Sequence, residues 1–260
     1  MTRPKKPTEA PAGRPAQARL VAGVVEARGR WLAEARSVLR AYPFVAGVWL
    51  VGSLGRDDGD GYSDVDLVVA VDPPVHAGLL ADPVGGLQLP GPVLYTRSKP
   101  RNAPAGGSYL AVCVELAGLP VLIDLYVWPA STAVVPAGGA VLYQRGEVRR
   151  SPLGLLALLA EHPADDPAGA DPDDPASLLF LIQLAAKYHA RGNRPRRAGI
   201  YRQLHLDDHD TTVILRQLLE SRVPHPGLGR AVAAVRRLLD LADIPPSTRP
   251  PPGCTTVADP

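Results

Sequence analysis

Short apolar runs that end at turn residues are the main feature of the first half of the chain. Residues 48–51 form one run, which stops at a Gly-Ser pair, and residues 65–71 form another, which follows an acidic stretch. Runs of this length and character predict buried strands. Residues 108–115 and 121–128 predict two further strands joined in a hairpin, and a short strand is predicted at 141–143.

Apolar positions recur at helical spacing before these strands and again after residue 151. The first predicted helix spans 18–41 and ends at Tyr42-Pro43, because proline disfavours a helical conformation in the residue before it. Asp174-Pro175 is typical of a helix N-cap followed by an N1 proline, and Arg191-Gly192 is typical of a helix end. Helices are therefore predicted at 153–160, 175–191, 198–222 (with a break at 207–208 as an alternative) and 228–242.

These elements divide the chain into four parts and predict an α/β (α+β) fold. Residues 1–17, rich in proline, lysine and alanine, are predicted to be a disordered arm. A mixed sheet flanked by helices is predicted over 18–150, and a C-terminal helical bundle over 151–243. Residues 244–260 form a proline-rich tail.

Residues 82–107 are rich in proline and glycine, and they carry Tyr95, Arg97, Lys99 and Arg101. The favoured interpretation is an exposed connection whose charges are solvated. The alternative is a basic loop that lines a substrate pocket.

Three aspartates interrupt the predicted strands where a charge is unfavourable. Side chains two residues apart share a face of a strand, so Asp64 and Asp66 point one way while Val65 and Leu67 point the other. Asp124 lies in a run of the same parity. Adjacent carboxylates repel each other unless a cation relieves them, and a buried aspartate needs a partner. The alternatives are a solvated strand start for the first two and a buried salt bridge for the third.

The Gly52-Ser53 pair after the first strand is typical of a phosphate site. Glycine lets backbone N–H groups approach an anion, and the serine hydroxyl adds a donor. Arg56 follows closely and can neutralise phosphate charge. The sequence is not that of a P-loop, because no Gly-Lys-Ser/Thr follows.

The combination of Gly52-Ser53, Asp64-Val65-Asp66 and Asp124 resembles the nucleotidyltransferase superfamily that includes DNA polymerase beta. Residues 62–67 are similar to the metal-binding strand of the small antibiotic nucleotidyltransferases of the aminoglycoside and lincosamide types. The resemblance covers residues 49–127 and extends more loosely to 187–193. It implies an adenylyltransferase-type enzyme that moves a nucleoside monophosphate, with ATP as the favoured donor, to a hydroxyl of an antibiotic and releases pyrophosphate.

The resemblance also assigns roles to individual residues. Asp64, Asp66 and Asp124 are expected to be catalytic and to bind two Mg²⁺ ions that clamp an in-line displacement, and Asp124 is the expected base for the acceptor hydroxyl. The expected nucleotide ligands are Gly52, Ser53, Arg56, Lys187 and Arg191. Some relatives use a further carboxylate of the helical domain as the base, for which the candidates are Asp207, Asp208, Asp210 and Glu220.

Lys187 and Arg191 are one helical turn apart, so they share a face of the predicted helix. One interpretation is a solvated basic face. The other is that both side chains hold the triphosphate from across a cleft.

Composition narrows the function classes only slightly. A formal charge of +2 and an apolar content of 46% are ordinary for a globular protein and do not favour nucleic-acid binding. No apolar run is long enough for a membrane span, and no secretory signal is apparent. Cys113 and Cys254 are the two cysteines, which predicts a reducing, cytoplasmic compartment without a disulfide.

Two other function classes remain open from the residues. One is the same transfer directed at a protein side chain, as in toxin–antitoxin systems, or at an RNA end. The other is a non-catalytic nucleotide-binding module. The near-neutral charge and the lack of a basic aromatic platform weigh against RNA, and the presence of all three acids weighs against a pure binder.

Overall fold

A six-stranded mixed sheet forms the centre of the protein. The structure is a computed structural model that describes residues 13–72, 79, 82–207, 212–223 and 226–243. The strands are β1 (Val45–Val51), β2 (Val65–Val71), β3 (Val93–Ser98), β4 (Ser108–Leu116), β5 (Leu119–Pro129) and β6 (Ala140–Gln144). Their order in the sheet is β3-β4-β5-β2-β1-β6.

The pairing of β2 with β5 is parallel, whereas the other neighbouring strands pair antiparallel. The predicted hairpin between β4 and β5 is confirmed, and its turn is Ala117-Gly118, with φ of 50° and 80°. Positive φ at both central residues is the geometry that matches the twist of a hairpin. Because β2 and β5 run side by side in the same direction, residues at equivalent positions in them become direct neighbours.

Helices cover the sheet and form most of the second half of the chain. They are α1 (Gly13–Ala41), α2 (Gly52–Gly55), α3 (Pro83–Leu87), α4 (Leu155–Glu161), α5 (Pro175–Ala190), α6 (Arg194–Gln203), α7 (Thr212–Arg222) and α8 (Gly229–Ala242). Helix α1 packs with one face of the sheet around Val65, Leu67 and Ile123. Helices α5 to α8 enclose a second core around Ile182 and Tyr201.

The ends of α5 follow the predicted signals. The Asp174 carboxylate caps the helix by accepting a hydrogen bond from the backbone N–H of Ala176. Arg191 is the C-cap, and Gly192 follows it with φ of 66°. Glycine adopts this left-handed conformation without steric conflict, which explains the helix end.

The structure decides two predictions about segment boundaries. Helix α1 already begins at Gly13, so a disordered arm to residue 17 is wrong for residues 13–17, while 1–12 lie outside the described residues. For the predicted helix at 198–222, the alternative of an interrupted helix is the correct one: α6 ends at Gln203 and α7 begins at Thr212, and residues 208–211 between them are not among the described ones. The 244–260 tail also lies outside the described residues.

The prediction of a connecting loop over 82–107 is also wrong. This segment contains α3, which Asp82 caps by accepting from the N–H of Gly85 at 3.0 Å, and β3, which pairs with β4. The proline and glycine content favours a loop, but β3 forms because it pairs with β4. Strand formation depends on cross-strand partners more than on local preference. Tyr95 in β3 is buried and donates a hydrogen bond to Gln183 of α5 at 2.6 Å.

The predicted fold class is confirmed: a mixed sheet with flanking helices is followed by a helical C-terminal part. Hairpin β4–β5 contacts the last helix through Glu115, which forms ion pairs with Arg230 and Arg237 of α8. Among the described helices, none has the length and apolar character needed to cross a membrane.

Candidate active site

Three aspartates meet at one end of the β2–β5 pair. Asp66 and Asp124 are direct partners in the parallel register, and Asp64 immediately precedes the first residue of β2. The predicted parity is confirmed, because Leu67 and Leu125 lie in the core on the other face. We call the adjoining space the Gly52 cleft. It has a volume of about 500 Å³, and its lining includes Gly52, Ser53, Arg56, Ser63, Asp64, Asp66, Asp124, Lys187, Tyr188 and Arg191.

Gly52 lies directly against the carboxylates. It begins α2 with φ of 67°, a conformation that L side chains rarely adopt. A Cβ atom at this position would also overlap the carboxylate of Asp66. Both constraints require glycine here, and the first N–H groups of α2 have no acceptor within the helix.

The aspartates repel each other where little water can screen them. Burial, together with the negative charges of Asp124 and Asp64, raises the pKa of Asp66 to about 7. Burial and the charge of Asp64 raise the pKa of Asp124 to about 6. Near neutral pH the cluster therefore favours a retained proton or a bound cation.

Tyr109 of β4 holds one carboxylate in place. Its hydroxyl donates a hydrogen bond to Oδ1 of Asp124 at 2.6 Å. Burial and the neighbouring Asp124 charge raise the pKa of Tyr109, so the tyrosine stays protonated and remains a donor. The predicted alternative of a buried salt bridge is not what is observed, because no ion pair among the described residues includes Asp124. No local pattern pointed to Tyr109, since its proximity to Asp124 depends on the β4–β5 register.

Lys187 of α5 reaches the same cluster from the helical half. Its ammonium forms an ion pair with the carboxylate of Asp64, and its side chain is only 6% exposed. A solvated basic face is therefore the wrong interpretation for Lys187. The α5 helix instead directs this charge into the Gly52 cleft.

Arg191 lies one turn further along α5 and contacts the loop before β2. Its guanidinium forms an ion pair with Asp60 and donates to Oγ of Ser63 at 3.1 Å. The Ser63 hydroxyl also lies 3.2 Å from the Ser53 hydroxyl. This network joins α5, the loop and the start of α2, and so fixes the edge of the cleft.

Arg28 of α1 holds the loop that precedes β2 through hydrogen bonds to its backbone. It is 5% exposed and donates to the backbone carbonyls of Ser63 at 2.8 Å and Asp60 at 3.0 Å. From the sequence, α1 was expected only to cover the sheet. A charged residue within an apolar helix face was the available signal, because arginine is rarely buried without partners.

Arg56 also lines the Gly52 cleft. It forms an exposed ion pair with Asp58, at 3.1 Å between Nε and Oδ2. Leu155, Leu156 and Ala157 of α4 contribute apolar side chains to the same lining. Leu156 is 79% exposed, so an apolar surface is available at the cleft entrance.

A second space adjoins the carboxylates on their other side, and we call it the Arg97 cavity. Its volume is about 270 Å³, and its lining includes Asp64, Asp124, Arg97, Lys99, Tyr109, Tyr126, Phe180 and Tyr188. The favoured interpretation of Arg97 and Lys99 as solvated loop charges is therefore wrong, and the alternative of a pocket lining describes them. The space exists because β3 extends the sheet beside β4.

The other base candidates do not share this site where they are described. Glu220 of α7 forms an ion pair with Arg236 of α8 and lines a shallow surface elsewhere. Asp207 lines neither the Gly52 cleft nor the Arg97 cavity. Asp208 and Asp210 lie outside the described residues.

Carboxylate oxygens suit a hard divalent cation such as Mg²⁺. As the side chains stand, however, no three Asp, Glu, His or Cys residues in the described ranges come together closely enough to hold a metal ion. Asp64 contacts the Lys187 ammonium instead. Asp66 and Asp124 could therefore bind a cation together. Asp64 could become a third ligand only if its carboxylate left the Lys187 ammonium and bound the ion.

Comparison with known families agrees with the motif. Residues 32–97 match the family model of the nucleotidyltransferase domain. This segment contains Gly52, Ser53, Asp64 and Asp66 and ends before Asp124. The match supports the superfamily and, in general terms, transfer chemistry on a nucleotide substrate. No curated protein shows significant similarity to the chain.

Proposed function

We propose that this protein is a Mg²⁺-dependent nucleotidyltransferase that moves a nucleoside monophosphate from a nucleoside triphosphate to a hydroxyl of a small molecule. The observation that supports this proposal is the direct register of Asp66 and Asp124 beside Gly52. Two adjacent carboxylates with raised pKa values, next to a glycine whose backbone N–H can approach a phosphate, are suited to phosphoryl transfer.

The Gly52 cleft is the proposed site of the triphosphate. Gly52 and Ser53 line it, and Gly52 has no Cβ atom where one would overlap the carboxylate of Asp66. Arg56, Lys187 and Arg191 line the same cleft and supply positive charge for the departing pyrophosphate. Each of the three already contacts an acid, so nucleotide binding would exchange one anionic partner for another.

Asp66 and Asp124, with Asp64 after release from Lys187, are the proposed holders of two Mg²⁺ ions. Bound there, the ions would neutralise phosphate charge and lower the pKa of the acceptor hydroxyl.

Asp124 is the proposed proton acceptor. As the acceptor oxygen bonds to the α-phosphorus, the bond from that phosphorus to the bridging oxygen breaks, pyrophosphate leaves, and the hydroxyl proton passes to Asp124. Its carboxylate lines both the Gly52 cleft and the Arg97 cavity, which suits a base that must reach a hydroxyl bound beside the nucleotide. Tyr109 keeps the carboxylate oriented while this happens.

The finer parts of the proposal rest on the resemblance to antibiotic nucleotidyltransferases. They are ATP as donor, an antibiotic hydroxyl as acceptor and the cytoplasm as the compartment. Of the two antibiotic classes, an aminoglycoside carries several positive charges, and the Arg97 cavity offers it no excess of negative charge, because Arg97 and Lys99 equal Asp64 and Asp124 in number. The aromatic rings of Tyr126, Phe180 and Tyr188 in the same lining suit a less charged acceptor.

A pyrophosphate-release assay tests the proposed function. Purified protein is incubated with Mg²⁺, each of the four NTPs in turn, and a panel of aminoglycosides, lincosamides, simple sugars and sugar phosphates. We expect release that needs Mg²⁺ and an acceptor and that Asp66→Asn abolishes. Release that persists in the Asp66→Asn variant, or labelling of protein or RNA alone, would contradict the proposal.

A further inference from the structure

A larger space adjoins the Arg97 cavity. This outer cavity has a volume of about 600 Å³ and shares Arg97, Lys99, Leu181 and Gln203 with the Arg97 cavity. The two cavities are therefore adjacent, and Asp124 lines the inner one. The volume of the outer cavity is in the range of pockets that bind small molecules.

Cations line both cavities. Arg97 and Lys99 are shared by the two, and Arg101 and Arg222 join them in the outer cavity. None of the ion pairs formed among the described residues includes any of these four side chains. They differ in this from Arg56, Lys187 and Arg191 of the Gly52 cleft, each of which pairs with an acid, and resemble Arg196 of that cleft, which lies over the Tyr188 ring.

Two acids also reach the outer cavity. Asp171 and Asp173 line it, against four Lys and Arg side chains. Neither acid lines the inner part, where the only carboxylates among the described lining residues are Asp64 and Asp124. Positive charge is thus in excess along the outer cavity, and Arg97 and Lys99 face the reacting aspartates across the inner one.

Arg97 is held in a defined position. Its guanidinium carbon lies 4.2 Å from the centre of the Phe180 ring, and its Nε donates to Oγ of Ser177 at 3.3 Å. Both partners belong to α5, the helix that also carries Lys187. A guanidinium fixed by stacking and one hydrogen bond keeps its remaining N–H donors for a planar anion.

Lys99 lies close to other positive charges. Burial lowers its pKa, and so do the charges of Arg101 and Arg97. Like charges gathered at a partly buried wall are unfavourable until an anion binds among them.

We propose that the acceptor is a small molecule with a hydroxyl at Asp124 and an anionic group, phosphate or carboxylate, bound by Arg97, Lys99 and Arg101. This inference rests on the proposed function and specifies its acceptor. A polycationic acceptor would be repelled by the same wall. A phosphomonoester or carboxylate group of the acceptor would pair with Arg97, Lys99 and Arg101, which form no ion pair with a described residue. This contact would orient the acceptor hydroxyl toward the carboxylate cluster.

Anion binding can be measured without knowing the acceptor. The full chain is saturated with Mg²⁺ and a non-hydrolysable ATP analogue, which occupies the Gly52 cleft, and is then titrated with inorganic phosphate or acetate. We expect a single anion site whose affinity falls about tenfold or more in Arg97→Gln or Lys99→Gln, the loss expected for one charged hydrogen bond. The matched control is Arg40→Gln, an exposed arginine of α1 that lines none of the three spaces.

The outcomes separate the possible acceptors. Stronger binding of phosphate or of acetate identifies the preferred anionic group. Absence of anion binding, equal binding by wild type and both variants, or tighter binding of a polycationic aminoglycoside would overturn the inference. A short RNA oligonucleotide that binds far more tightly than phosphate, with a steep salt dependence, would also overturn it and favour an RNA end.

The same samples test the proposed function independently. Binding of the ATP analogue should require Asp66 and should be unchanged in Arg97→Gln and Lys99→Gln, which also shows that these variants are folded. If analogue binding does not depend on Asp66, the proposed function fails while the anion result stands by itself. If analogue binding behaves as expected and anion binding does not, only the acceptor inference fails.

Discussion

The two spaces on either side of the carboxylate cluster differ in how their positive charges are paired. In the Gly52 cleft, Lys187 pairs with Asp64, Arg191 with Asp60, and Arg56 with Asp58, and only Arg196 among its described cations lies over an aromatic ring, that of Tyr188, instead of an acid. On the other side, no ion pair among the described residues includes Arg97, Lys99 or Arg101. Both spaces share Asp64 and Asp124.

This difference indicates how the two sides would select a ligand. A paired cation must leave its acid before it binds an anion, so the Gly52 cleft gains little from a weakly charged ligand and favours a strongly charged one, such as a metal-bound triphosphate. An unpaired, partly buried cation gains from a single anionic group. The first arrangement therefore suits a common donor, and the second would discriminate among acceptors.

Asp66→Asn should have the largest effect, because it disables the cluster that both spaces share. We expect kcat to fall by at least about a thousandfold, as for loss of a residue that stabilises the transition state. Without divalent cations, the variant should be as stable as the wild type or more stable, since a repelling charge is removed. The control is Asp72→Asn, at the far end of β2, which pairs with Arg145. Activity and thermal unfolding measure the two effects, and a variant that retains turnover would refute the assignment.

Gly52→Ala should damage the Gly52 cleft alone. We expect a loss of about 1–2 kcal/mol in the free energy of unfolding from the left-handed backbone, and in addition a loss of nucleotide affinity from overlap with Asp66. Gly146→Ala is the matched control, because Gly146 has φ of 80° with open space around its Cβ position. Chemical denaturation and nucleotide titration compare the two. Equal behaviour of the variants would mean that contact with Asp66 is unimportant.

Lys187→Met and Lys99→Met form a pair that sharpens the comparison. The first should raise KM for the nucleotide by about ten- to a hundredfold, the range for one charged hydrogen bond, and leave phosphate binding on the other side intact. The second should weaken phosphate binding and leave KM for the nucleotide intact. Steady-state kinetics and anion titration provide the readouts. A shared effect of both variants on both ligands would show that the two spaces do not act separately.

The smallest expected effect is on the pH dependence of stability. The folded-state pKa values of Asp66, about 7, and Asp124, about 6, lie above the value of about 4 in an unfolded chain. The folded state then binds these protons more tightly, so their contribution to stability is present below pH 4 and is lost as the pH rises through 6 to 7. Without divalent cations, we therefore expect the free energy of unfolding to decrease over this pH range.

Thermal unfolding with a chelator between pH 4 and 8 measures this decrease. Asp66→Asn should flatten the curve, and Mg²⁺ should stabilise the wild type more at pH 8 than at pH 5, because protons compete with the metal. A wild-type curve that rises over this range would contradict the raised pKa values.

Much of the candidate site could be read from local sequence. The alternation around Asp66 and Asp124 determines their common face, and the caps at Asp174 and Gly192 determine the ends of α5. These features depend on neighbours one to four residues away, which a linear pattern contains. Strand β3 was missed for the opposite reason: its proline- and glycine-rich surroundings favour a loop, and only pairing with β4 makes it a strand.

The sequence by itself determined the candidate residue types and their spacing: a Gly-Ser pair after a strand, carboxylates of one parity, and a lysine and an arginine one helical turn apart. Only the tertiary structure decided which of these groups meet. The parallel register brings Asp66 beside Asp124, the β4–β5 hairpin brings Tyr109 to Asp124, and α5 brings Lys187 to Asp64. Contacts between residues far apart in the chain depend on how the sheet and helices pack, and local conformational preferences do not predict that packing.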